Sequence, residues 1–162
     1  MKVYSPKRKQ YKKILSKQKE CFFCTPSIVR KQECTLFSYN HWNVLVNKYP
    51  YMDGNVMLVP KRHIEKIEEM LPEEWKEFSE ALLRVKKVLE KKFETPSFNI
   101  GINIGNESGR SVAHLHWQII PRKKKNHTVV GVLADIHVVE TSPQELKKML
   151  SKRKESSKGR IQ

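Results

Sequence analysis

The chain has 162 residues, 38% of them hydrophobic and 30% charged, with a net charge of +15 at pH 7. That length suits one domain with one core. No apolar run approaches a membrane span, the basic N-terminus is not followed by the apolar stretch of a signal peptide, and three cysteines do not make a secreted disulfide framework, so a soluble cytoplasmic protein with no membrane partner is expected.

Residues 2–19 carry Lys2, Lys7, Arg8, Lys9, Lys12, Lys13, Lys17 and Lys19 and no acid. Residues 1–20 are set apart as a basic extension, in which Tyr11, Ile14 and Leu15 give a weak helical stripe over 6–20. Cys21-Phe22-Phe23-Cys24 follows, then a loop with Pro26. Cys34–Tyr39 reads as a strand, with His41–Asn47 as its hairpin partner and Asn40 in the turn. Asp53-Gly54 marks a turn before a third strand, Asn55–Val59, which Pro60 ends. His63 opens a short helix to about Met70. Pro72, with Glu73 and Glu74 behind it, starts a long one. Trp75, Phe78, Leu82, Val85, Leu89 and Phe93 recur at spacings of three and four, so one stripe faces a sheet, and the helix stops before Pro96. Phe98–Ile104 is a fourth strand, and a glycine-rich loop over 105–110 leads to another strand from Ser111 to Arg122. Val138–Glu140 is a last short strand. Ser142-Pro143-Gln144-Glu145 has the cap, the N1 proline and the N3 glutamate of a final helix. Residues 21–152 thus form a single α+β domain, an antiparallel sheet of about five strands packed against one long helix and shorter ones. Residues 153–162 are expected to be a disordered basic tail.

The stretch 111–122 carries the chemistry. In a strand, side chains alternate between faces. His114, His116 and Gln118 then share one face, while Leu115, Trp117 and Ile119 share the other. Two imidazoles and an amide in register are not what a solvated strand face displays. Elsewhere, Cys21-x-x-Cys24 admits a zinc site, a redox dithiol or neither. A redox motif belongs between a strand and a helix, which the basic segment and the proline loop do not offer. Structural zinc needs four ligands. The one other cysteine, Cys34, sits within a strand pattern, so histidine must complete the set.

His114-φ-His116-φ-Gln118-φ-φ, preceded by Asn103-Ile-Gly-Asn-Glu-Ser-Gly-Arg110-Ser111, resembles the histidine triad (HIT) superfamily of nucleotide hydrolases and transferases over about Cys21 to Arg122. Glutamine at the third triad position is similar to the nucleotidyltransferase branch, which includes galactose-1-phosphate uridylyltransferase and the dinucleoside polyphosphate phosphorylases. The resemblance implies a HIT-like fold and a homodimer paired across its sheets. In zinc-bearing members, the histidine of Pro60-Lys-x-His63 and the first triad histidine partner the two cysteines. This implies Cys21, Cys24, His63 and His114 around a structural zinc.

His116 is then a nucleophile toward an α-phosphate, giving a nucleotidyl-histidine that phosphate, a sugar phosphate or water resolves. Gln118 offers an amide N–H, Ser111 a hydroxyl and Gly109 a close-approaching backbone to the charged phosphoryl oxygens. Glutamine donates but cannot give up a proton, which tilts the reading toward transfer and away from hydrolysis. By resemblance, Asn47 matches a ribose-binding position and Asn103 one near the scissile phosphate. Arg110 stands where many members have glutamine and adds a phosphate contact. Asn55 departs from a frequent Gly-His pattern. The expectation is a nucleotidyltransferase or phosphorylase acting on dinucleoside polyphosphates such as diadenosine tetraphosphate, adenine nucleotides being favoured. Its nearest rival is a HIT hydrolase releasing a nucleoside monophosphate. A rival of another class is a zinc-stabilised nucleic-acid-binding protein working through its basic tails and the run Arg122–Lys125; neither tail interleaves the lysines with aromatic residues, as stacking on single strands needs.

Overall fold

The structure is a computed structural model and describes residues 20–50, 52–108, 110–122 and 141–151. Helix α1 (Pro26–Gln32) precedes strands β1 (Trp42–Val46) and β2 (Val56–Pro60). A 3₁₀ turn at Ile67–Glu69 leads to the long helix α2 (Pro72–Phe93) and strand β3 (Phe98–Ile102). A second 3₁₀ turn, Asn106–Ser108, precedes strand β4 (Trp117–Pro121), and helix α3 (Pro143–Met149) follows. The strands make one antiparallel sheet in the order β1-β2-β4-β3. The α+β class and antiparallel sheet agree with the sequence, with four strands among the described residues. The strand expected at Val138–Glu140, the helix expected over 6–20 except for Glu20, and the tail at 153–162 lie outside the described residues.

Side-chain alternation gives the sheet two different faces. Trp42, Val44, Val46, Val56, Leu58, Trp117 and Ile119 pack with Ala81, Val85, Leu89 and Phe93 of α2 in the main core. Leu45, Met57 and Val59 point the other way and pack with Phe23 and Val112. The spacing of three and four along α2 therefore does what periodicity requires. At its start Trp75 stays 39% exposed, because it meets Phe78 and Trp117 edge-on at the margin of the core. Glu74 fulfils its place at the third helical position by accepting from the Leu71 N–H, and Arg62 pairs with its buried carboxylate at 2.9 Å. That guanidinium holds the Glu74 carboxyl below its usual range. The helix stops at Phe93, with Glu94 in the left-handed region as its cap. At α3, Ser142 and Glu145 cap each other as read from the sequence. No helix among the described residues is long and apolar enough to cross a membrane.

Four local expectations are corrected. Cys34–Tyr39 is not a strand and does not pair with β1 as a hairpin. Only Glu33 bridges to Leu45, and the chain then turns, with Phe37 N–H on Cys34 O and Leu36 N–H on Leu150 O. The buried residues there are Cys34 and Phe37, three apart, which a strand cannot place on one face. The hairpin partner of β1 is β2, in the register Val46↔Val56 to Trp42↔Pro60, so Pro60 lies inside the strand. The helix expected from His63 to Met70 shrinks to the single 3₁₀ turn, because Ile64 O accepts from Leu115 N–H at 2.7 Å instead of from its own helix. The strands expected over 98–104 and 111–122 are shorter, with regular pairing confined to 98–102 and 117–121.

Gly54 makes the β1–β2 connection possible. Its φ is +75°, and a Cβ built there would sit 2.5 Å from Pro121 Cγ and 2.7 Å from Phe93 Cε2. Gly54→Ala is therefore expected to cost about 2–4 kcal/mol, from the left-handed backbone and from overpacking together. The measurement is the urea midpoint, which should fall with an unchanged slope.

Candidate active site and metal cluster

His114 and His116 lie just before β4, and each is oriented by a main-chain carbonyl. His114 is 2% exposed. Its Nε2–H donates to Pro60 O at 2.9 Å, because a carbonyl can only accept. Its Nδ1 lone pair therefore faces the thiols, 3.3 Å from Cys21 Sγ and 3.6 Å from Cys24 Sγ. Burial pushes the His114 pKa down to about 4, so the ring stays neutral, as a metal ligand must. His63 Nδ1 lies 3.4 Å from Cys24 Sγ, and its Nε2 is 3.6 Å from Glu65 Oε1. All four ligand atoms fall within 4.8 Å of one another. A tetrahedral zinc with two sulfur and two nitrogen ligands separates its donors by about 3.3–3.8 Å. The cluster fits that cation in donor softness, in number and in spacing. The outward carbonyl and carboxylate partners of the two imidazoles are the usual orienting groups of such ligands.

His116 is set the opposite way. Its Nδ1–H donates to His114 O at 2.8 Å, which leaves Nε2 as the basic nitrogen. Burial first, then the nearby Arg110 charge, hold its pKa below the ordinary histidine value. Phe23 packs against both rings, 5.7 Å from His114 and 5.3 Å from His116 between centroids. The segment bearing the cysteines thus walls the site. A neutral, oriented imidazole with its Nε2 lone pair unspent is the arrangement a phosphorus nucleophile requires.

Gln118 shares the face of His116, across the strands from Met57 and Gly101. Its Oε1 accepts from Asn55 Nδ2 at 2.8 Å and from Asn47 Nδ2 at 3.3 Å. Asn47 Nδ2 also reaches Asn55 Oδ1 at 3.0 Å, and Asn47 Oδ1 accepts from Tyr49 N–H at 2.9 Å. Asn47 is thus joined to Gln118, a connection its sequence position did not suggest, and its Oδ1 keeps one lone pair for a further donor. Arg110 Nη2 donates to Asn106 Oδ1 at 2.9 Å and to Glu65 Oε2 at 3.3 Å. Glu65 therefore stands between the metal cluster and the loop. Ser111 is exposed and Asn103 half-buried, and neither makes a hydrogen bond to the histidines. Gly109 lies outside the described residues.

Two residues were missed by sequence reasoning. Asn55, fully buried, is the amide that grips Gln118. The β1–β2 register would have found it, since it places Asn55 opposite Asn47 and on the face of Met57, the cross-strand partner of Gln118. Glu65 had no signal, because an acid two residues after a candidate ligand is common on any surface.

Comparison with known proteins adds the lineage. The HIT domain family model matches residues 30–125. The bis(5'-nucleosyl)-tetraphosphatase [asymmetrical] of Schizosaccharomyces pombe is 37% identical over 79 residues, covering 49% of this chain and 43% of that protein. The AP-4-A phosphorylase of Mycobacterium tuberculosis is 26% identical over 108 residues, covering 66% of this chain and 55% of that one. The chain thus spans about half the length of these relatives. Among solved structures, a Zn-bound histidine triad family protein from Mycobacterium smegmatis superposes with a TM-score of 0.64 at 19% identity, over 81% of this chain and 90% of that one. With the domain match covering more than half of the sequence, and the fold and the two oriented histidines in agreement with it, the chain belongs to the HIT domain family.

Proposed function

We propose that the protein is a nucleotidyltransferase that cleaves dinucleoside polyphosphates by phosphorolysis through His116. The observation that carries this is the His116 Nδ1–H···O=C bond to His114, which leaves Nε2 neutral, basic and fixed. In the first step Nε2 bonds to the α-phosphorus of diadenosine tetraphosphate. The P–O bond to the rest of the chain breaks, and its electron pair leaves with ATP. In the second step an oxygen of inorganic phosphate attacks the same phosphorus, the P–N bond breaks, and ADP departs from a regenerated neutral imidazole. Gln118 Nε2 and the Arg110 guanidinium stabilise charge on the phosphoryl oxygens, with Asn103, Ser111 and the Gly109 backbone along the phosphate path and Asn47 Oδ1 toward the ribose. The relatives named as an AP-4-A phosphorylase and a tetraphosphatase support the substrate class.

The same reading places zinc in Cys21, Cys24, His63 and His114. With a closed four-ligand shell, the metal would supply structure and no bound water.

A second reading, hydrolysis to AMP and ATP, is favoured by the 37% identity to a tetraphosphatase. One experiment separates them: incubation with diadenosine tetraphosphate, with and without inorganic phosphate, and product masses. ADP with ATP, dependent on phosphate, is expected. AMP with ATP, at a rate indifferent to phosphate, would establish the hydrolase instead.

A further inference from the structure

We infer that Asn55 is a positioning residue that decides which end of the Gln118 amide faces the substrate, an inference that rests on the nucleotidyl-transfer reading above. An amide side chain has a donor end and an acceptor end, and only its neighbours can tell them apart. Here the choice is dictated from the main chain. The Tyr49 N–H can only donate, so the Asn47 group it meets is Oδ1. Nδ2 of Asn47 is then the opposite end, and it donates to Asn55 Oδ1 and Gln118 Oε1. With Oδ1 of Asn55 so engaged, its Nδ2 donates to Gln118 Oε1 at 2.8 Å and to Val56 O. Gln118 thus presents oxygen to two inward-facing donors, and its Nε2 must turn to the other side. That side is open. Gly101 lies directly opposite Gln118 on β3, where a Cβ would meet nothing within 4 Å.

The polarity matters because the two ends of the amide have opposite consequences for a phosphoryl group. Nε2 turned outward donates to a phosphoryl oxygen, whereas Oε1 turned outward would repel it. Flipping Gln118 in place would set its own N–H groups against those of Asn47 and Asn55. The triad amide is therefore oriented by a relay of three side chains that begins at one main-chain N–H.

Asn55→Asp tests this, since the carboxylate is nearly isosteric but only accepts, and so draws Nε2 inward. Relative to the wild type, kcat for diadenosine tetraphosphate with phosphate is expected to fall on the order of 10²-fold, with KM changed only a few-fold. Gln118→Ala should lose a similar factor. The double variant should be no slower than Gln118→Ala alone, because Asn55 acts only through that amide. Side-chain ¹⁵N spectra supply a readout that a merely structural residue would not move: AMP should shift the Gln118 Nε2 resonance in the wild type and not in Asn55→Asp. If Asn55→Asp does not fold, the wild-type spectrum carries the test, and bound AMP that leaves the Gln118 resonance unmoved overturns the inference. Full additivity in the double variant, or an AMP-shifted Gln118 resonance in Asn55→Asp, overturns it as well. A wild type that neither binds AMP nor cleaves any dinucleoside polyphosphate overturns instead the reading of the site on which it rests.

Discussion

His116→Ala is expected to lower turnover of diadenosine tetraphosphate by roughly 10⁴–10⁶-fold, the scale on which loss of an enzyme's nucleophile is felt. The argument is geometric. Nε2 of His116 is the one basic nitrogen of the triad face not committed to a carbonyl or to the thiol cluster, since Nε2 of His114 is on Pro60 O and its Nδ1 faces Cys21. No other described side chain on that face offers a replacement, because Gln118 cannot act as a base. Nucleotide binding should persist, as the contacts proposed for the phosphate and the ribose are made by other side chains. The ring is 8% exposed and packs on Phe23, so the variant's melting temperature must be measured beside its activity. The direct check is trapping. Wild-type enzyme denatured after brief exposure to labelled substrate should carry an acid-labile nucleotide on His116. No adduct, together with near-normal turnover in His116→Ala, would transfer the chemistry to another group.

Removal of metal is the second large effect expected. Structural zinc stabilises small domains through the free energy of binding itself, and the four side chains proposed to hold it here come from three distant parts of the chain: residues 21–24, His63 and His114. Within that segment, Phe23 also packs in a small apolar cluster and against the His114 ring. Chelation is expected to remove about 3–5 kcal/mol, lowering Tm by on the order of 10 °C. Elemental analysis should give about one zinc per chain, and Cys24→Ser should reproduce the loss without chelator. Metal-free protein with an unshifted Tm would show that the four side chains stand together for another reason.

What could be read directly from the residues was whatever depends on local period. The division of 114–119 into a histidine face and an apolar face follows from alternation, and it survives although ladder pairing starts only at Trp117. The long helix followed from Pro72, from Glu74 and from an apolar stripe at helical spacing. The cysteine–histidine set was legible only through its likeness to a family, yet the four donors do converge. What escaped was set by partners far apart in the chain. Cys34–Tyr39 looked like a strand because its composition suits one, but after the Cys34 N–H, which reaches Val44 O, the Leu36 amide goes to the end of α3 and the Phe37 amide closes a turn. Pairing β1 with the wrong neighbour hid the register of β1 against β2, and with it the meeting of Asn47, Asn55 and Gln118. An amide network that crosses three strands has no signature in any one of them.

The two histidines differ in what they present to their surroundings, and the difference is written in main-chain atoms. Pro60 O selects one tautomer of His114, and His114 O selects the other for His116. A carbonyl oxygen is present whatever side chain its residue carries. Point mutation can therefore erase either imidazole but cannot delete the group that orients it, provided the backbone path holds. The division of labour proposed between metal ligand and nucleophile would in this way be buffered against mutational drift in the surrounding sequence. The side chains flanking the two rings can therefore change widely before either imidazole loses its aim.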